Sequence, residues 1–266
     1  MSRLTLSEQA EWSARRCRSL LVADHLEKAY PAVASRIRTC TPMLERSAAG
    51  YLYPRESCQH RLCALCRGRP NRSLQRMATG CEVLIAADPK IGILHSVFTV
   101  ANCPPEQLGG SVDSLVHGVQ SLQTTRLFPS CWKLEVTRAG DGRLHPHLHR
   151  LSAAPLSTNT ADLIEEQTER FISGARLDCR PQTSCEFVDP LPIGRYLVTS
   201  HVDVTNELAA DSCAVVALAA ALYKRRLANF SHGWPAERPR PKIASYQEPA
   251  ARYIWRPNQG YMPTPQ

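Results

Sequence analysis

The sequence predicts an α+β protein, and three observations carry that expectation. Residues 131–138 and 144–149 both alternate as strands do, and Ala139-Gly140-Asp141-Gly142 between them has the Gly and Asp content of a hairpin turn. Residues 91–101 are a β-rich run, and behind Pro104 and Pro105 the apolar residues Leu108, Val112, Leu115, Val116, Val119 and Leu122 keep the i, i+3, i+4 rhythm of a helix over 106–128. At the start of the chain, Thr5-x-x-Glu8 reads as a capping box opening a helix, ahead of a cluster of cysteines. The organisation that follows is a basic, helical, cysteine-containing region over 1–80, a strand-and-helix core over 81–230, and a Pro- and aromatic-rich tail over 231–266.

At 266 residues the chain can bury one good core with a small appended module. Its apolar fraction, 43%, is ordinary for a globular protein. No run reaches the roughly 18 apolar residues of a membrane span. The first residues lack a secretory apolar core and carry Glu8 and Glu11, so a cytosolic protein is expected. Eleven cysteines in such a compartment point to metal binding and free buried thiols rather than disulfides. The net charge of +8 is localised: residues 1–78 hold 14 Lys and Arg against 6 Asp and Glu, and the remainder balances at 18 against 18. A basic excess confined to the first third favours a polyanion, above all nucleic acid.

In the first helix Leu6, Ala10, Leu20, Leu21 and Leu26 form a loose apolar stripe, and Pro31 ends it. A second basic helical segment at 35–38 leads to Cys40. Cys63 and Cys66 then make a C-x-x-C knuckle with Cys58 five residues earlier, and either Cys40 or His60 would complete four ligands. Such thiolates suit tetrahedral zinc; reduced, merely buried cysteines are the alternative. Arg61, Arg67, Arg69, Arg72 and Arg76 surround the knuckle, and the expectation is that it presents them to phosphate. Farther on, a charged amphipathic helix is expected at 161–175, a strand at 183–188, a break at 189–194, and a helix over 211–229. In the tail, Arg252-Tyr253-Ile254-Trp255-Arg256 alternates bases with aromatics, which would either stack on unpaired nucleotides or pack on the protein itself.

The chemistry concentrates in Leu144-His145-Pro146-His147-Leu148-His149. On a strand, side chains two apart share a face, so His145, His147 and His149 crowd together and Leu148 enters the core behind them. Neutral imidazole is the commonest nitrogen ligand for metals. Glu135, on the partner strand of the hairpin, would reach His147 or His149 across the ladder. Two imidazoles and one carboxylate leave open positions on a divalent ion, which suits catalysis rather than structure.

His147-Leu148-His149 resembles the His-hydrophobe-His signature of HUH endonucleases. The longer string 145–149, following Leu134-Glu135-Val136-Thr137-Arg138, is similar to rolling-circle plasmid replication initiators of that superfamily. Ser96-Val97-Phe98-Thr99-Val100 is a fair match to their Phe-Thr-Leu-Thr-like first motif. The order strand, helix, strand, turn, histidine strand is that of the HUH fold, and Arg61-Leu62-Cys63-Ala64-Leu65-Cys66 resembles their Arg-x-Cys-Pro-x-Cys string with Ala64 in place of proline. The resemblance implies an HUH-type antiparallel sheet flanked by helices. It implies Mn²⁺ or Mg²⁺ held by Glu135, His147 and His149, with His145 beside them or on the phosphate. It also implies a tyrosine nucleophile in a Lys-Tyr-x-x-Lys-like string, which Arg195-Tyr196-Leu197-Val198-Thr199 matches except that Thr199 replaces the second lysine; Tyr223 and the tail tyrosines are alternatives. The substrate implied is single-stranded or hairpin origin DNA, and the partners are a host helicase and polymerase. Such initiators carry a glutamate just ahead of the tyrosine that ends the cycle by hydrolysis; residues 189–195 contain no Glu, so that route is not implied here. Three rivals stand beside this reading: an HUH transposase or mobilisation relaxase, a non-catalytic zinc-dependent DNA-binding regulator, and a metal-dependent hydrolase or oxygenase on a β-sandwich using the same His-x-His.

Overall fold

A computed structural model describes residues 4–46, 52–66, 72–122, 129–175, 181–189, 202–235, 249 and 251–264. In chain order the elements are α1 (Leu6–Leu26), α2 (Pro31–Arg38), β1 (Met43–Arg46), β2 (Leu52–Pro54), α3 (Arg72–Ala87), β3 (Ile91–Thr99), α4 (Leu108–Leu122), β4 (Ser130–Arg138), β5 (Leu144–Pro155), α5 (Thr160–Ala175), β6 (Gln182–Val188), α6 (Asn206–Ala210), α7 (Ser212–Leu222), β7 (Ala228–Phe230), β8 (Ala251–Arg256) and β9 (Gly260–Pro263). The class is α+β with two antiparallel sheets, ordered β6-β3-β5-β4-β7 and β2-β1-β8-β9. No helix among the described residues is long and apolar enough to cross a membrane.

The chain divides into two compact units rather than three consecutive segments: residues 1–68, 204–216 and 239–266 form one, residues 69–203 and 217–238 the other. The first boundary therefore falls before α3, not at residue 80. The expected tail also reads differently, because residues 251–263 supply two strands to the sheet of the first unit. Tyr253 and Tyr261 are buried in that unit's core with Leu44, so they are structural side chains rather than stacking platforms for nucleotides.

In the first unit the Thr5 capping box forms as expected: Thr5 Oγ1 accepts from the Glu8 amide, and the Thr5 amide donates to Glu8 Oε2. Arg46 also reaches Glu8, and that guanidinium holds its carboxyl down at about 2, well below the ordinary 4.5. The buried stripe of α1 is Arg16, Ser19, Val22, Ala23 and Leu26, whereas Leu6 is 87% exposed. Of the expected stripe Leu26 is fully buried, while Leu6 and Leu21 face water and Arg16 and Ser19 take buried positions instead. Arg16 donates to the carbonyls of Ile37, Arg38 and Cys40, satisfying groups left open at the end of α2. Pro31 opens α2, a position where its missing N–H costs nothing.

In the second unit β4 and β5 pair as the expected hairpin, and Gly142 turns it with a left-handed φ of +82°. β5 is the central strand. Its Pro146 is tolerated there for a geometric reason. Leu144 exchanges both backbone bonds with Cys103, so by alternation the N–H that Pro146 lacks would face the β3 side, where β3 has already ended at Thr99. One face of the sheet carries Leu94, Phe98, Leu148 and Leu134, all fully buried. The α4–α5 pair belongs to that side: Phe98 stacks on Phe171 at 4.5 Å between ring centroids, and Ser96 donates to Gln167. A Cβ at Gly118 would lie 2.6 Å from the Phe171 ring, so glycine is what lets α4 and α5 approach. The other face begins apolar, where Ile93, Cys131 and Leu151 pack with Met77 and Cys81 of α3, and turns polar toward the hairpin turn.

Two helical boundaries differ from expectation. A 3₁₀ turn at Pro105–Gln107 precedes α4. The expected helix over 211–229 stops at Leu222; Lys224 adopts a left-handed φ of +51°, and Ala228–Phe230 pair with the edge of β4. Covering an exposed strand edge wins over helix continuation there.

Candidate metal centre

The polar half-face is assembled by register. Glu135 lies opposite His147 and Lys133 opposite His149 on the β4–β5 ladder, and Thr99 of β3 lies opposite His147 on the other side. Directly opposed residues have close Cβ atoms, so a two-strand ladder brings all four side chains to one spot. Ligand atoms of Glu135, His147 and His149 lie within 4.8 Å of one another, a group that could hold a metal ion. His149 Nε2 is 3.6 Å from Glu135 Oε2. His147 Nδ1 donates to the His145 carbonyl at 3.2 Å, which leaves Nε2 as the nitrogen with a lone pair to offer. The donor set, two imidazoles and one carboxylate, suits a borderline or hard divalent cation with coordination positions to spare.

Electrostatics favour the ligand forms. Burial would raise the Glu135 carboxyl, but its contact with His149 and the nearby Lys133 ammonium outweigh burial and hold it at about 2, against an ordinary 4.5. Burial is the main reason His147 is pushed down to about 4, so its ring is neutral at pH 7.

His145 stands apart from the three. Its Nδ1 meets Asn102 Oδ1 at 2.6 Å, and it lines a cleft of about 660 Å³ with Thr99, Asn102, Thr137 and Gln182. It borders the candidate ligand group and is not part of it.

Two neighbours of the centre were not among the expected residues. His95 Nε2 is 3.0 Å from His149 Nδ1, with the two rings near parallel. When His149 offers Nε2 to an ion, its Nδ1–H donates to His95, which fixes the tautomer and the ring's orientation. Burial, and secondarily His149, push His95 down to about 4, so it is a neutral acceptor. Lys133 is fully buried, with Nζ 3.0 Å from Glu135 Oε2. Lys133 was within reach of the sequence, since a residue two before Glu135 on a strand must share its face. His95 was not, because β3 meets β5 only through a long crossover whose register no local pattern states. We expect His95→Phe to weaken Mn²⁺ binding about 10–100-fold, and His95→Gln, which keeps an acceptor, to stay within about threefold of wild type. Titration of the Mn²⁺ electron paramagnetic resonance signal checks this; equal binding by the Phe variant would remove the orienting role.

The cysteine cluster resolves the fourth ligand. Sulfurs of Cys40, Cys58, Cys63 and Cys66 lie within 4.8 Å of one another, a second group that could hold a metal ion. The ring of His60 turns back to accept from the Leu62 amide. Cys40 is delivered by Arg16 at the end of α2 and by Thr41, whose left-handed φ of +53° turns the chain into β1. Thr41 is itself tied to the last strand by Tyr261, whose hydroxyl donates to its carbonyl. Ser19 of α1 contacts Cys63 at 3.6 Å.

The expected phosphate-binding arginines fare unevenly. Arg76 donates to the Trp234 and Pro235 carbonyls and lies 4.2 Å over the Phe230 ring, so it serves packing. Arg61 is half-buried, and burial pulls its pKa down. Arg67, Arg69 and the side chain of Arg72 lie outside the described residues, as does Tyr196. Tyr223, the alternative nucleophile, is 56% exposed beyond the end of α7.

No protein-family model matches the chain, and no curated protein or solved structure matches it.

Proposed function

We propose that this protein nicks and rejoins single-stranded DNA through a 5′-phosphotyrosine, and that it initiates rolling-circle plasmid replication. The observation that carries this reading is the convergence of Glu135, His147 and His149 from two paired strands onto one spot of a half-face lined with polar side chains. The string around these residues and the basic first third of the chain support the same substrate class.

Glu135, His147 and His149 would hold Mn²⁺ or Mg²⁺. Such an ion, when bound, polarises a phosphate oxygen and offsets the charge that develops on it. The chain's own residues do the rest. His149 is kept in the ligating tautomer by His95, and His147 by the His145 carbonyl. Tyr196 supplies the phenol oxygen that bonds to the scissile phosphorus, and the 3′-oxygen of the preceding nucleotide leaves as a free hydroxyl. Covalent attachment keeps the phosphodiester energy, so rejoining needs no nucleotide triphosphate. The four cysteines would hold Zn²⁺, whose preference for tetrahedral thiolates fits an all-sulfur site. That ion is structural and keeps the basic unit folded for DNA.

The test is incubation of the full-length protein with Mn²⁺ and single-stranded DNA carrying a candidate origin, followed by denaturing electrophoresis. Wild type is expected to form a 5′-linked adduct, and Tyr196→Phe none. An adduct persisting in Tyr196→Phe would move the nucleophile to another tyrosine. Failure of every origin and metal to give an adduct, with DNA binding intact, would favour the regulator.

A further inference from the structure

We propose that Lys133 makes cation binding at the strand centre conditional on a bound phosphodiester. Its ammonium disfavours a divalent ion in the free protein, and a phosphate group brought by DNA removes that penalty. This deepens the nuclease reading and rests on it.

A lysine that is 0% exposed is rare unless it is paired, and this one is paired with a side chain that the metal needs. Lys133 Nζ lies 3.0 Å from Glu135 Oε2, and His149 Nε2 approaches the same oxygen at 3.6 Å. By register Lys133 opposes His149, as Glu135 opposes His147, so the ammonium sits among the three candidate ligands rather than behind them. Among the described side chains, one carboxylate and one ammonium therefore meet at the heart of the free centre. Among the described residues, Glu186 also lies on this face, opposite His95 near the sheet's outer edge, and is exposed to water.

A divalent cation would enter beside that ammonium. Two positive centres would then share a buried site within a few ångströms, where like-charge repulsion is poorly screened. A phosphodiester supplies negative charge, and its unbridged oxygens accept from the ammonium when Glu135 turns to the ion. Binding of ion and DNA must then be coupled, and thermodynamic linkage makes the coupling reciprocal. A lysine that only neutralises Glu135 predicts something else: its removal would leave cation affinity unchanged or lower.

The experiment is an Mn²⁺ titration of the full-length protein, read by electron paramagnetic resonance, with and without a single-stranded thymidine oligonucleotide. In wild type the oligonucleotide should tighten Mn²⁺ binding about tenfold or more, within the usual range of coupling between sites. Lys133→Met should bind Mn²⁺ about tenfold more tightly without DNA, and the oligonucleotide effect should fall below about threefold. Lys133→Gln keeps an N–H donor toward Glu135 without the charge. It should behave like the Met variant, and it carries the test if the Met variant does not fold. The proposal is overturned if the neutral variants bind Mn²⁺ no more tightly than wild type in the absence of DNA, or if the oligonucleotide acts equally on all three proteins. None of these readings depends on strand cleavage. Intact coupling with no covalent adduct would therefore sink the nuclease chemistry and leave the role of Lys133 standing.

Discussion

His147→Ala is expected to weaken Mn²⁺ binding at the strand centre by more than about 100-fold, because even outer partners of metal ligands cost 10–100-fold when removed. Adduct formation with origin DNA should fall below detection with it. The fold should survive. His147 sits on the polar half-face, the hydrogen bond of its ring to the His145 carbonyl is worth roughly 1 kcal/mol, and the Lys133–Glu135 pair is left intact. Glu135→Gln separates the two effects less cleanly. It removes a candidate ligand and also breaks the buried Lys133–Glu135 pair, which costs roughly 3–5 kcal/mol. The sign of the pH dependence follows from the same carboxyl. Its folded-state pKa is depressed from 4.5 to about 2, so its contribution to stability is fully present above 4.5 and is lost as the pH falls toward 2. Metal titrations of His147→Ala at pH 7, paired with thermal melts, separate the loss of the ion from loss of the fold.

Removing the ion from the four-cysteine cluster should unfold the first unit and spare the second. A structural zinc site binds with an apparent 10–16 kcal/mol, about as much as the whole stability of an ordinary domain. Here the four sulfurs join α1 through Ser19, the end of α2 through Cys40, and the C-terminal strand through Thr41 and Tyr261. The sulfurs are in direct contact, Cys66 lying 3.5 Å from Cys40 and 3.6 Å from Cys58. Hydrogen exchange read by mass spectrometry checks the prediction. Chelation or Cys63→Ser should strip protection from α1, α2, β1, β8 and β9 and leave β3, β4 and β5 protected. Unchanged protection in the first unit would contradict it.

How much of this was legible in the chain depended on distance along it. The hairpin was, because strand alternation on both sides of Ala139–Gly142 pairs the two strands; only the register then chose His147 over His149 as the residue opposite Glu135. The capping box at Thr5 and the helix through Val112 and Val119 were readable for the same local reason. What escaped was set by partners far away. Tyr253 looked like a tail residue because nothing near it in sequence hints at β1, more than 200 residues earlier, as its strand partner. The buried role of Arg16 gave no local signal, because the carbonyls it satisfies belong to the end of the next helix. His95 needed the β3–β5 register, and Arg76 needed the Trp234 segment. Charge patterns marked the first third as basic, yet they could not say which guanidinium groups, such as that of Arg76, serve packing.

The central claim is that one cation is gripped by a carboxylate and two imidazoles from neighbouring strands. The most direct measurement is anomalous diffraction at the manganese edge from crystals grown with Mn²⁺ and single-stranded DNA. The account predicts a single strong peak on the β4–β5 face, about 2.0–2.3 Å from a Glu135 oxygen and from Nε2 of both His147 and His149. A peak that engages only one of the three, or no peak on that face with DNA bound, would contradict it.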